Sequence, residues 1–159
     1  MMPQKARILV VDDDPTIRRT MSIILEQTGY FVDTAENGEQ AITMSEQSFY
    51  NLALIDVRLP DMEGTKLLTL LRDTTPKMIK IIMTGFPVLD NAVEAINRGV
   101  DGYITKPMST EKLLNTVKEQ LLKQDRERVL TEEKLKDYVA SKFKQARTIR
   151  REIASVHVE

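Results

Sequence analysis

The sequence predicts an α/β fold: a five-stranded parallel sheet, doubly wound by helices, with a helical extension at its carboxyl end. Three observations carry this. Short apolar, β-branched runs alternate with segments whose apolar residues recur at helical spacing. The central run, Leu52-Ala53-Leu54-Ile55, lacks polar alternation, as expected of a strand buried on both faces. Five such strand–helix units fall within about 120 residues, and strict alternation implies parallel strands joined by crossover helices.

Each element has its own signal. Ala6 to Val11 reads as the first strand and stops at Asp12-Asp13-Asp14-Pro15. Asp14 before Pro15 has the form of an N-cap followed by proline at the first helical position. Ile17, Met21, Ile24 and Leu25 mark the helix that follows, and Gly29 closes it. Tyr30 to Thr34 is a weaker second strand. Asn37 and Gln40 form a capping-box pattern ahead of a helix through Ala41, Ile42 and Met44. The third strand, Leu52 to Ile55, ends in Asp56, and a turn-forming stretch leads to a helical pattern from Gly64 to Leu71. In that stretch Asp61, after Pro60, reads as a turn residue. Met78 to Met83 is the fourth strand, ending at Thr84-Gly85. Leu89, Val93 and Ile96 mark a further helix closed by Gly99. Asp101 to Thr105 is the fifth strand, and Lys106-Pro107 ends it. Ser109 or Thr110 caps a helix through Leu113, Leu114, Val117 and Leu121.

Parallel sheets of this kind bind ligands outside the carboxyl ends of their strands. Asp12, Asp13 and Asp14 follow the first strand, Asp56 the third, Thr84 the fourth and Lys106 the fifth. Asp14 is accounted for by its cap. The rest converge on one edge.

Composition narrows the chemistry. The chain of 159 residues has 42% hydrophobic and 30% charged residues and a net charge of −1, which argues against nucleic-acid binding over its whole surface. It has no cysteine and a single histidine, His157, so thiolate chemistry, His-based triads and multi-His metal sites are excluded. No stretch approaches the ~18 apolar residues of a membrane span, and the start is not that of a signal peptide. A cytoplasmic protein is the expectation.

Three acids in one pocket repel one another unless a cation joins them. Oxygen ligands suit Mg²⁺. A carboxylate beside Mg²⁺ is a competent nucleophile toward phosphorus, giving an aspartyl phosphate. The metal can neutralise one phosphoryl oxygen and the Lys106 ammonium a second, while the Thr84 hydroxyl hydrogen-bonds a third. No residue of the set activates water strongly, so the product should persist long enough to signal.

These residues carry a resemblance. The runs VVDDDP, LALIDVRLPDMEG, IIMTG and GYITKP occur in order and spacing over roughly residues 5 to 123, and the chain resembles the receiver domain of two-component response regulators. The resemblance implies a flavodoxin-like fold and a phosphorylation-controlled switch that assists its own Mg²⁺-dependent phosphorylation and dephosphorylation, rather than an enzyme. It implies that Asp56 accepts phosphate from a histidine kinase or phosphotransfer protein. Asp12, Asp13, Asp56 and the backbone carbonyl of Arg58 would hold Mg²⁺. Thr84 and Lys106 would hold the phosphoryl group, Thr84 and Tyr103 would form the switch, and the Lys106–Pro107 bond would be cis. Arg58 is a departure: its side chain, two positions past the nucleophile, can overhang the site and affect phosphate lifetime. A phosphohydrolase with an aspartyl nucleophile would carry a second acid where Arg58 stands. The alternatives are a phosphate-independent adaptor of the same fold, and a piece of a longer regulator without its effector domain.

Residues 124 to 159 read as a charged linker and an amphipathic helical tail. Gln124 to Arg128 is either a solvated extension of the preceding helix or a linker, and Thr131-Glu132-Glu133 has the form of a new helix start. A 4-3 spacing then runs through Leu135, Val139, Lys142, Ala146, Ile149, Ile153 and Val156. Between Lys134 and Arg151 seven basic residues face one acid, Asp137. Pairing of the tail with itself or packing on the receiver is the leading expectation. Contact with nucleic acid or an anionic membrane is the lesser one, and a lone helix argues against sequence-specific DNA binding. A second copy is also expected to engage through the helices flanking the fifth strand.

Overall fold

The computed structural model describes residues 5–85 and 99–156. The predicted helix through Leu89, Val93 and Ile96, and the single His157, lie outside the described residues. In chain order the elements are β1 (Arg7–Val11), α1 (Pro15–Thr28), β2 (Phe31–Ala35), α2 (Gly38–Gln47), β3 (Leu52–Asp56), α3 (Gly64–Leu70), β4 (Ile79–Thr84), β5 (Gly102–Thr105) and α4 (Thr110–Val156). The chain divides into two units, Met1–Gln124 and Asp125–Glu159.

The first unit is a five-stranded sheet in the order β2-β1-β3-β4-β5, with every pair parallel. Alternate residues of each strand enter opposite layers. Ile8, Val10, Leu52, Leu54, Ile81 and Met83 pack with Met21 and Leu25 of α1 and Leu113 and Val117 of α4. Leu9, Val11, Ala53, Ile55 and Ile82 pack with Ala41 of α2 and Leu67 and Leu68 of α3. Burial on both faces explains why β3 reads as an unbroken apolar run. The order reverses between β1 and β3, so a crevice opens beside Asp12 and Asp56.

Local chemistry sets the element ends. Asp14 Oδ1 accepts from Thr16 N at 2.9 Å and starts α1, and Gly29, at φ 108°, closes it through the left-handed region. Asn37 Oδ1 accepts from Gln40 N at 2.8 Å and starts α2. Gln40 reaches back one residue further than a capping box requires, to Glu36 N at 2.7 Å. Ser109 Oγ accepts from Lys112 N at 3.1 Å and starts α4. Gly64 is needed for contact: a Cβ there would meet the backbone oxygen of Asp56. Lys80 is buried within β4, and its Nζ donates to Leu68 O at 2.7 Å, near the end of α3. Desolvation lowers its pKa.

The amino-terminal ends of the sheet are tied by amides. Asn51 Oδ1 accepts from Arg7 N at 2.9 Å, and Asn51 Nδ2 donates to Gln124 Oε1 at 3.1 Å. Gln124 Nε2 donates to Asn51 O at 3.0 Å and Lys77 O at 2.8 Å. Gln124 is buried, and it ends the first unit.

The second unit is helical from Asp125 to Val156, and every described residue in it is exposed. The expected helix start at Thr131 is corrected: Thr131 lies mid-helix, and its Oγ1 donates to Glu127 O at 2.8 Å. No glycine or proline interrupts the stretch. Arg128 pairs with Asp125 at 2.8 Å and Glu132 at 2.9 Å across single turns. Leu135, Tyr138, Val139, Phe143, Ile149, Ile153 and Val156 present an exposed apolar stripe. Lys142, the charged residue on the 4-3 seam, has its Nζ 5.5 Å from the Tyr138 ring centroid. Among the described residues no helix is long and apolar enough to cross a membrane.

Gln124→Ala removes the acceptor of the Asn51 side-chain amide, the Gln124 donor to the Lys77 carbonyl and one of two donors to the Asn51 carbonyl. The expected loss is about 1–3 kcal/mol, read as a lower urea midpoint with an unchanged m-value.

Candidate functional site

Two strand ends bring the acids together. Backbone pairing of Asp12 N with Ala35 O at 3.1 Å ends β1 and leaves Asp12 buried and Asp13 exposed. One carboxylate oxygen each from Asp12, Asp13 and Asp56 lies within 4.8 Å of the others. The β3–β4 register sets Asp56 opposite Met83, one residue before Thr84, and the β4–β5 register sets Thr84 opposite Thr105, one residue before Lys106. Lys106 N donates to Thr84 O at 2.7 Å, which fixes the start of the Lys106 side chain. Its Nζ lies 2.8 Å from Asp12 Oδ2 and 3.5 Å from Asp56 Oδ1. The Lys106–Pro107 bond is cis.

The charges respond to one another. Burial raises the pKa of Asp56, and the negative charge of Asp12 raises it further. The Lys106 ammonium and a backbone hydrogen bond from Arg58 oppose this without cancelling it. Burial alone would lower the pKa of Lys106, but the hydrogen bond and charge of Asp12, with the charge of Asp56, hold it above the ordinary lysine value. The site therefore presents a fixed cation beside a carboxylate that is costly to ionise unaided. Such a carboxylate gains from a second cation or from an electrophile.

Thr84 is buried at the end of β4. Tyr103 is half-buried against the cluster that contains Val57 and Leu68, and its hydroxyl is buried with no hydrogen-bond partner among the described residues. Arg58 is exposed in the loop after β3, paired across that loop with Glu63 in a single antiparallel bridge. Asp14 serves as the cap, and its N–H also donates to Asp12 Oδ1 at 2.9 Å, orienting that carboxylate.

Two contributors were not legible as such. Arg18, one turn into α1, donates through Nη1 to Asp12 O at 2.7 Å. Asp61 is more than a turn residue: its Oδ1 accepts from Gly38 N and its Oδ2 from Glu39 N, each at 2.9 Å. Neither partner is near in sequence. For Arg18 the only cue is an arginine one turn after the cap, and Asp61 offers only an acid in a turn.

Comparison with known proteins bears on the family and the fold. Residues 8–118 match the response regulator receiver domain model. The alginate biosynthesis transcriptional regulatory protein AlgB of Pseudomonas syringae pv. tomato is 37% identical over 117 residues, covering 74% of this chain and 26% of that protein. The transcriptional regulatory protein ResD of Bacillus subtilis is 35% identical over 114 residues, covering 72% and 47%. The matches thus span only a quarter to a half of these relatives. A CheY-like response regulator receiver domain protein from Methanospirillum hungatei JF-1 superposes with a TM-score of 0.75 at 44% identity, covering 78% of this chain and 99% of that one. The beryllofluoride-activated NtrC4 receiver domain dimer superposes with a TM-score of 0.69 at 34% identity, covering 74% and 98%.

The raised pKa of Asp56 has a sign. The folded state holds this proton more tightly than the unfolded chain, so stability falls as pH rises from the ordinary aspartate value of 3.8 through the higher folded value. Asp56→Asn should therefore raise the melting temperature at pH 7. The gain should shrink as pH falls to the ordinary value, and calorimetry across that range checks both.

Proposed function

The chain belongs to the response regulator receiver family, and on that premise we propose that it is a phosphorylation-controlled signalling switch with Asp56 as the phosphoryl acceptor. The observation that carries this reading is the Lys106 ammonium set between Asp12 and Asp56 on the edge where three carboxylates meet.

The donor is a phosphohistidine of a kinase or phosphotransfer protein. A carboxylate oxygen of Asp56 bonds to phosphorus as the phosphorus–nitrogen bond breaks, and the imidazole keeps the electron pair and regains a proton from solvent. Little covalent assistance is needed beyond alignment and charge neutralisation. Lys106 supports one phosphoryl oxygen, and the Thr84 hydroxyl hydrogen-bonds another. The acid cluster fits Mg²⁺: its donors are hard oxygens, and exposed Asp13 leaves room for water ligands. Asp12, Asp13, Asp56 and the Arg58 carbonyl would hold the ion, which when bound supplies charge neutralisation at the phosphoryl group.

Readout runs through Thr84 and Tyr103. An unpartnered buried hydroxyl costs on the order of 1–3 kcal/mol, so a rearrangement that gives the Tyr103 hydroxyl a partner is favoured. A shift of Thr84 toward the phosphoryl group makes room for that change and alters the surface beside β5. The output is a change in partner docking or self-association, through that surface or through the tail. That the NtrC4 neighbour is a beryllofluoride-activated dimer supports the self-association arm.

Acetyl phosphate or beryllofluoride with Mg²⁺ should shift the amide resonances of Thr84, Tyr103 and Lys106, and Asp56→Asn should abolish the shift. Wild-type protein with no response would leave a phosphate-independent adaptor as the reading. Arg58→Ala should change the decay rate of the phosphorylated protein; equal rates would remove Arg58 from the mechanism.

A further inference from the structure

The loop after β3 is held from two sides. At its end, Gly64 N donates to Val57 O at 2.7 Å, and the glycine lies against the backbone of Asp56. Within it, Leu59 N donates to Met62 O at 3.1 Å, closing a turn over Pro60 and Asp61. From that turn the Asp61 carboxylate takes the first two amides of α2, Gly38 and Glu39, one on each oxygen. The Met62 side chain packs beside it, so closely that a Cβ at Gly38 would lie 2.5 Å from its sulfur. The N-terminus of α2 favours a negative charge, and Asp61 supplies one from another element. Desolvation opposes ionisation of Asp61, but the backbone hydrogen bonds, those of Gly38 and Glu39 first among them, together outweigh it and lower its pKa, so the clamp is charged at neutral pH.

We propose that Asp61 is a positioning residue for the cation site: by clamping the loop to α2 it fixes the Arg58 carbonyl relative to Asp12, Asp13 and Asp56. This rests on the cation reading above and extends it to a residue outside the acid cluster. Asp61 touches neither the metal nor the phosphoryl group. Its effect is on the entropy of the loop, since an Arg58 carbonyl already in place costs less to recruit. The strands hold the three carboxylates; the loop carbonyl depends on the clamp.

The test compares two caps on the same helix end. Asn37 also caps α2, through Gln40 N, but makes no described contact to the loop after β3. Mg²⁺ affinity is measured by calorimetry, and melting temperature in parallel, for the wild type, Asp61→Ala, Asp61→Asn and Asn37→Ala. Asp61→Ala should weaken Mg²⁺ binding about tenfold, the size expected when a residue supporting a ligand is removed. Asp61→Asn keeps one acceptor oxygen and should fall between. Asn37→Ala should lower the melting temperature yet bind Mg²⁺ as the wild type does. Wild-type affinity in Asp61→Ala, or an equal loss in Asn37→Ala, would overturn the clamp while leaving the site reading intact. Wild-type protein that binds no Mg²⁺ would overturn the cation reading and the clamp with it. Should Asp61→Ala not fold, Asp61→Asn alone decides against Asn37→Ala.

Discussion

The structure turns on the placement of one ammonium among three carboxylates. Parallel strands bring the acids to a single edge, and their mutual repulsion must be met there. Lys106 meets part of it, and unequally: it sits against buried Asp12 at 2.8 Å and stands off Asp56 at 3.5 Å. Asp12 is thereby committed, held also by the Asp14 amide, with its backbone carbonyl taken by Arg18. Asp56 is only partly compensated: burial first, and the charge of Asp12 second, raise its pKa against the pull of Lys106. A carboxylate in that condition is stabilised by whatever adds positive charge or withdraws its electrons. The reactivity proposed for it follows from this imbalance.

The sheet supports the imbalance by being dry on both faces. Leu54 and Ile55 are fully buried in opposite layers just before Asp56, so the acid emerges from an apolar strand directly at the edge. That explains why so much was legible. Central strands of a parallel sheet leave a continuous apolar signature, and Asp14, Gly29 and Asn37 act within a few residues of themselves. Strand ends shifted by a residue, because pairing rather than composition sets where a ladder stops. What the sequence could not show depends on neighbours supplied by the fold. Asp61 meets amides 22 and 23 residues earlier, and Gln124 meets a strand end 73 residues away. Thr131 failed in the opposite way. It has the composition of a cap, but an uninterrupted helical background on both sides absorbs it.

The lysines show how burial decides meaning. Lys80 follows Ile79 within β4, and Lys106 follows Thr105 at the end of β5. Lys106 reaches two carboxylates and is held charged. Lys80 reaches a helix-end carbonyl, and desolvation pushes it the other way. The distinction lies in which end of the sheet each occupies.

Gln124 carries a practical lesson for anyone who transplants this domain onto another protein. The family match stops at residue 118, and a cut placed there looks economical. It would discard the Gln124 side chain, which closes over the Asn51 and Lys77 carbonyls. The graft would carry an open seam at the floor of the sheet, far from the acids but under the strand that bears Asp56. The natural seam for a chimera lies after Gln124, and a partner helix joined there inherits an α4 that is already running.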